Sequence, residues 1–314
     1  MPPIAAFQMD ALDAINPKGD TTLTLMLEAQ ARGYRIFHYL PSTLAFENGK
    51  LTASGHFVQV HDDAAHHYDV LSAETLDLRQ VKVVWLRQDP PFDMAYITST
   101  YLLESLAPDV LVVNNPDAVR NCPEKWFVND FPQYLPPTLV TTHLPAIEDF
   151  RKRHGDIIVK PLYGHGGNAV FRLKEDDGNF NALLEFMFKT SPEALVIQKF
   201  LPEVKDGDIR VVLVDGEVAG QIGRVPAHGE IRSNLRVGGT AAEISLTPRQ
   251  WEICDALKQP LKDKGLLLVG IDLIGDYLTE VNVTSPTGIR SINALYGVKV
   301  EAQVWDAVEK KLAN

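Results

Sequence analysis

The chain has 314 residues, with 45% hydrophobic and 23% charged residues, a composition that builds a real core in about two domains, or three small ones. Its formal net charge of −11 and lack of any basic run exclude a general nucleic-acid or membrane-surface role, because a polyanion would be repelled. Two distant cysteines, Cys122 and Cys254, make neither a disulfide framework nor a metal-ligand spacing.

The opening MPPIAAFQMD lacks a basic start followed by a long apolar run, so no secretory signal is read there. Residues 4–9 predict a buried strand. Residues 21–33 predict a helix capped by Asp20 and stopped at Gly33, and 34–40 a second strand. Asn48-Gly49 predicts the turn of a small hairpin over 44–61. HDDAAHHYD (61–69) holds metal-competent side chains, but without a hydrophobic frame it reads as a solvated polar loop. A strand at 81–87, a helix at 93–107 and a strand at 109–115 complete a small, mostly parallel, open α/β sheet.

FPQYLPPTL (131–139) carries three prolines and marks a boundary that no helix crosses. An α+β unit follows, with strands at 138–142, 157–160, 168–173 and 194–199 and helices at 144–154 and 180–189. The last part has two strands around Asp215-Gly216, a glycine-rich loop at 226–241 and a helix at 247–264. Strands at 267–274 and 277–283 and a closing helix at 298–312 complete it. Trp251, Cys254, Leu257 and Leu261 are spaced as a buried helix face. The most apolar stretch, 265–275, is too short to span a bilayer and contains Asp272.

Three groups carry chemistry. Lys160 interrupts the apolar run IIVKPL, and an ammonium placed in a strand needs an anion, either a protein carboxylate or a phosphate. The loop YGHGGN behind it offers backbone N–H groups and freedom to close over phosphates, although a tight hairpin has the same composition. Asp272 lies on one strand, while Glu280 and Asn282 alternate on the next and share a face. That oxygen-rich set suits Mg²⁺. Arg210, Arg224, Arg232 and Arg236 supply a cationic group suited to carboxylate or phosphate.

In this order the residues resemble those of ATP-grasp ligases: Lys125 in NCPEKWF, Lys160, Gln198 in VIQKFLP, Asp208 and Arg210 in DGDIRV, then Asp272, Glu280 and Asn282. More narrowly, LRQDPPFD, NNPDAVRNCPEK and LTEVNVTSPTGI resemble prokaryotic glutathione synthetases, with a likeness running over nearly the whole chain. The sequence departs from that pattern at Trp126 and Ser291. The resemblance implies an N-terminal open α/β domain (1–122) before a two-lobed ATP-grasp fold (123–202 and 203–314). It implies ATP-dependent joining of γ-glutamylcysteine and glycine through an acyl phosphate, with Mg²⁺ or Mn²⁺, in a cytoplasmic homotetramer. ATP would meet Lys125, Lys160, Gly164, Gly166, Gly167, Gln198, Phe200, Leu201 and Asp208, and the metal would meet Asp272, Glu280 and Asn282. Arg210, Arg224 and Lys160 would be catalytic. Arg210, Arg224, Arg232, Asn282, Thr284 and Ser285 would hold substrate. The rivals are another ATP-grasp carboxylate–amine ligase and a non-catalytic nucleotide-binding regulator.

Overall fold

A computed structural model describes residues 2–227 and 238–313. The first sheet has six strands. β1 (Ile4–Gln8) pairs in parallel with β2 (Arg35–Glu47) and with β5 (Val83–Leu86). β5 pairs in parallel with β6 (Leu111–Val113). Asp20 caps α1 (Thr21–Ala31) by accepting from Leu23 N at 2.6 Å, as its position before the apolar run predicts. Asp93 does the same for α2 (Met94–Glu104). A short α3 (Pro116–Asn121), with proline in its first turn, was not read from the sequence.

Three of this sheet's five strand pairings are parallel, as expected, and its other end is antiparallel. The Asn48-Gly49 turn, with φ of 50° and 83°, joins β2 to a long antiparallel β3 (Lys50–Val60) rather than to a small hairpin. β4 (Tyr68–Asp77) then adds at the edge, also antiparallel, giving the order β4-β3-β2-β1-β5-β6. β4 left no apolar alternation to read, because most of its side chains face solvent on an edge strand.

The second sheet is antiparallel, β7-β10-β8-β9, from β7 (Thr138–Thr141), β8 (Ile157–Pro161), β9 (Phe171–Leu173) and β10 (Leu195–Lys199). α4 (Leu144–His154) and α5 (Phe180–Thr190) bury Ile147, Phe150, Leu184 and Met187 against it. β9 is half the expected length, because residues 162–170 form turns instead.

The third sheet is antiparallel, in the order β13-β12-β11-β14-β15. Its strands are β11 (Asp208–Val214), β12 (Glu217–Val225), β13 (Thr240–Ala242), β14 (Leu268–Ile274) and β15 (Tyr277–Asn282). A capping box at Thr247 and Gln250 starts α6 (Pro248–Asp263). Its buried face is Gln250, Ile253, Cys254, Leu257 and Leu261. Trp251 lies outside that stripe, 45% exposed, which corrects its reading as core: one position from Gln250 is a rotation of about 100°. α7 (Ile289–Tyr296) follows the NVTSPTGI segment, and α8 (Val300–Leu312) closes the chain.

The first and third sheets share their cores. Trp85 of β5 meets Trp305 of α8 with ring centroids 5.4 Å apart, and Trp305 Nε1 donates to Leu25 O at 2.9 Å. Buried Asn114 rivets the same joint. Its Nδ2 donates to Leu268 O and Val283 O, both at 2.8 Å, and its Oδ1 accepts from Leu268 N at 2.9 Å. Each bond satisfies a backbone group that burial would otherwise strand. Among the described residues no helix is long and apolar enough to cross a membrane.

Candidate active site

The chemistry-bearing residues collect where the second and third sheets face each other. Strand pairing explains how. Arg210 lies opposite Asp272 in the β11–β14 ladder, Asp208 opposite Arg224 in β11–β12, and Asp272 opposite Glu280 in β14–β15. Opposed residues on one sheet face place their side chains in contact.

Two carboxylates organise the cations. Asp272 takes a bidentate bond from Arg210, Nε to Oδ1 at 2.5 Å and Nη2 to Oδ2 at 2.9 Å, while Arg224 Nη2 lies 3.0 Å from Oδ2. Arg224 also clasps Asp208 at 2.7 and 2.6 Å. Burial pushes the Asp272 carboxyl up, but the two guanidiniums outweigh it and hold it well below the usual carboxylate range. Glu280 is the second hub: Lys160 Nζ is 3.4 Å and Lys125 Nζ 3.7 Å from its Oε1. Burial likewise opposes ionisation of Glu280, and the two lysines overcome it. Lys160 itself is held below the usual ammonium value, first by burial and then by Lys125, with Glu280 opposing. The buried lysine thus has a protein carboxylate, Glu280, as its partner.

Two cavities meet at Glu280. One, of about 820 Å³, is lined by Ile158, Lys160, Gly167, Gln198, Phe200, Leu201, Asp208 and Asp272. The other, of about 780 Å³, is lined by Glu124, His165, Gly166, Arg210, Arg224, Asn282, Thr284 and Ser285. A wider third cleft, of about 1460 Å³, opens beside it against Asp10, Asp20, Thr22, Arg87 and Ser291.

Around the first cavity, Gln198 Nε2 donates to Thr138 Oγ1 at 3.1 Å, and the Arg172 guanidinium lies 3.7 Å from the Phe200 ring centroid. The Phe200 N–H is taken by Asp156 O at 2.9 Å. The glycine loop forms a flap. Gly166 and Gly167 have φ of 62° and 79°, which only glycine adopts without strain, and Lys125 Nζ donates to Gly164 O. Tyr163 stacks on Phe92 of the DPPFD segment, with centroids 5.8 Å apart.

Around the second cavity, Asn282 Nδ2 donates to Gly270 O at 3.2 Å, Thr284 Oγ1 to Glu124 Oε1 at 2.6 Å, and Ser285 Oγ to Arg87 O at 3.3 Å. Arg210 Nη1 donates to Thr287 O at 3.1 Å. Arg232 and Arg236 lie outside the described residues, with most of the 226–241 loop. Trp126 points outward, 48% exposed, while its neighbour Lys125 is buried, so that departure leaves the cleft untouched. Ser291 lines the third cleft.

Two residues in these cavities were not singled out from the sequence. Glu124 is half-buried, and desolvation is the first cause that pushes its carboxyl up. Its signal was adjacency to Lys125 in NCPEK. Arg87 is 4% exposed, with Nε bonded to Thr22 Oγ1 at 3.1 Å and Nη2 to Pro286 O at 3.0 Å. Its Nη1 has no hydrogen-bond partner among the described residues. Its signal was the LRQDPPFD motif, where only the acids and prolines drew notice.

Comparison with known proteins decides the family. Residues 124–297 match "Prokaryotic glutathione synthetase, ATP-grasp domain", and residues 4–120 match the N-terminal domain of the same family. The chain belongs to the prokaryotic glutathione synthetase family. It is 51% identical to the glutathione synthetase of Rhodopseudomonas palustris over 308 residues, 98% of each chain. It is 50% identical to that of Agrobacterium fabrum over 306 residues, covering 98% of this chain and 96% of that one. A synthetase of this family is an ATP-dependent ligase that joins γ-glutamylcysteine and glycine with release of ADP and phosphate, and that is the activity of this chain. Solved structures agree on the ATP-grasp fold. D-cycloserine synthetase DcsG superposes with a TM-score of 0.71 at 14% identity, covering 98% of this chain and 99% of that one. D-alanyl-alanine synthetase A from Vibrio cholerae gives 0.64 at 13%, covering both chains fully. As a member of this family, the chain uses ATP and a divalent metal ion.

Proposed function

We propose that the two cavities divide the reaction, with Glu280 at their common wall. The carrying observation is that Lys125 and Lys160 converge on Glu280 from one side while Arg210 and Arg224 converge on Asp272 from the other. The first cavity takes ATP. Its base lies against Gln198, the Phe200 carbonyl and the Leu201 N–H, its ribose near Asp208, and its phosphates toward Lys125, Lys160 and the flap glycines 164, 166 and 167. The oxygen donors of Asp272, Glu280 and Asn282 fit Mg²⁺, with Mn²⁺ as an alternative, and a bound ion would supply charge neutralisation at the transferred phosphoryl group. The units 1–122, 123–202 and 203–314 act as substrate domain, lid and metal-bearing lobe.

The second cavity takes the cysteinyl carboxylate and glycine. Arg210 and Arg224 exchange Asp272 for the substrate carboxylate, and Asn282, Thr284, Ser285 and Arg232 complete its cradle. A carboxylate oxygen attacks the γ-phosphorus and ADP leaves. The glycine amine then attacks the acyl carbon and phosphate leaves, with Arg210 and Arg224 stabilising the tetrahedral oxyanion. The flap keeps water from the acyl phosphate. Arg87, with its unpartnered Nη1, holds a second carboxylate of the dipeptide in the third cleft.

The test is ADP release with γ-glutamylcysteine and glycine added singly and together. Turnover requires both; turnover with either alone, or with neither, overturns the division. The family likeness also supports a cytoplasmic homotetramer, for which light scattering on purified protein gives the mass.

A further inference from the structure

The hairpin between β3 and β4 gathers three side chains far from the catalytic carboxylates in sequence. His61 follows the last residue of β3, Asp69 is the second residue of β4, and His66 lies between them. His61 Nε2 is 2.9 Å from Asp69 Oδ2, and His66 Nε2 is 2.9 Å from Asp69 Oδ1. The two imidazoles lie nearly parallel, with centroids 5.6 Å apart and planes inclined by 22°. All three ligand atoms fall within 4.8 Å of one another.

The frame around them is held. His61 N donates to His67 O at 2.9 Å, which closes the hairpin, and Asp63 Oδ1 accepts from Ala65 N at 2.8 Å inside the turn. His67 faces elsewhere: its Nε2 lies 2.7 Å from Leu12 O and its ring packs on Tyr68. Asp62 is drawn away by Arg290, 2.8 Å distant, whose Nε also donates to Asp20 O. His61, His66 and Asp69 are therefore the set that converges. Their side chains are 32%, 63% and 49% exposed, which leaves the outer side open to water.

We propose that His61, His66 and Asp69 form a binding site for one borderline divalent cation of the Zn²⁺ kind, separate from the oxygen-lined catalytic site. Two neutral imidazole nitrogens and one carboxylate oxygen are three of the four ligands of a tetrahedral zinc site, and water supplies the fourth. The cation takes the place now filled by the N–H···O bonds to Asp69. Nitrogen donors select against Mg²⁺, whose preference is for oxygen, so the cation of catalysis does not compete here. A filled site would stiffen the 61–69 turn, which Asp62 ties to Arg290 in the first turn of α7, a few residues after Thr284 and Ser285 in the chain.

The test is calorimetric titration of Zn²⁺ into tag-free, metal-stripped full-length protein in excess Mg²⁺, which fills the oxygen sites. Wild type is compared with Asp69→Asn and with a His61→Ala/His66→Ala double variant. The expected result is one Zn²⁺ per chain in wild type. Binding should weaken in Asp69→Asn by more than the roughly 10–100-fold that an outer-shell partner is worth. It should vanish in the double variant, with glutathione synthesis unchanged in both. Visible absorption of the Co²⁺-loaded protein reports the same site through its nitrogen ligands. No saturable binding in wild type, or equal binding in wild type and the double variant, overturns the proposal.

Discussion

Asn114→Ala is the sharpest test of how the two halves of the molecule are held in register. Asn114 is 3% exposed, and its amide serves Leu268 N, Leu268 O and Val283 O. Truncation leaves those backbone groups buried without partners, at about 1–3 kcal/mol each. Some relaxation follows, so the expected loss is about 3–5 kcal/mol, a large part of a typical domain's total stability. Asn114→Asp should be no better: it keeps the acceptor for Leu268 N but turns an oxygen toward two carbonyl oxygens. The assay is urea unfolding followed by tryptophan fluorescence, since Trp85 and Trp305 are buried against each other across this joint. Val283 also leads into Thr284 and Ser285, so turnover should fall with stability. A loss under about 1 kcal/mol for Asn114→Ala, or an Asn114→Asp variant as stable as wild type, would refute the idea that these bonds hold the joint.

Two further outcomes follow from the charge network. On the role proposed for Lys160 at the moving phosphoryl group, Lys160→Ala should lower kcat by about 10²–10³, with circular dichroism unchanged; near-normal turnover would remove Lys160 from that role. Asp272 and Glu280 have folded-state pKa values below their unfolded ones of 3.8 and 4.5. Their ionisation therefore stabilises the fold above about pH 4.5 and is lost as pH falls through the lower folded values. Thermal melts carried from pH 7 down to about pH 2 should show this acid loss in wild type, chiefly below pH 4.5, and a flatter profile in Asp272→Asn. That variant should also start about 3–5 kcal/mol lower, because it strips charge from a buried pair; parallel profiles would show that Asp272 does not titrate with folding.

Much of the site was legible because its grammar is local. Glu280 and Asn282 share a face by the two-residue period of a strand, and Lys160 stands out as one charge in an apolar run. What was not legible depends on pairing between distant strands. No spacing in the sequence says that Arg210 faces Asp272 or that Arg224 faces Asp208; the ladders of β11 with β14 and β12 do. Bulges after Val212 in the β11–β12 ladder and after Asp272 in the β14–β15 ladder shift the register again. β4 was hidden for the opposite reason: as an exposed edge strand it has no apolar period, with Val70 and Leu71 more than half exposed. The convergence of His61, His66 and Asp69 depends on that same strand and was read as a loop. Glu124 and Arg87 escaped because a single charge beside a motif looks like surface until its burial is known.

The pairing of the cleft's charges has a kinetic meaning. Asp208, Asp272, Glu280 and Glu124 stand among Arg210, Arg224, Lys125 and Lys160, so positive and negative groups are matched within the protein. A nucleotide entering such a cleft meets engaged cations rather than a reservoir of waiting positive charge. On the division of the reaction proposed above, binding would be an exchange of partners: Asp272 would turn to the metal that accompanies the nucleotide, and the two arginines would then be free to hold the acid to be activated. On that reading the salt bridges set the order of events, and an acid arriving before the metal would find its arginines still occupied.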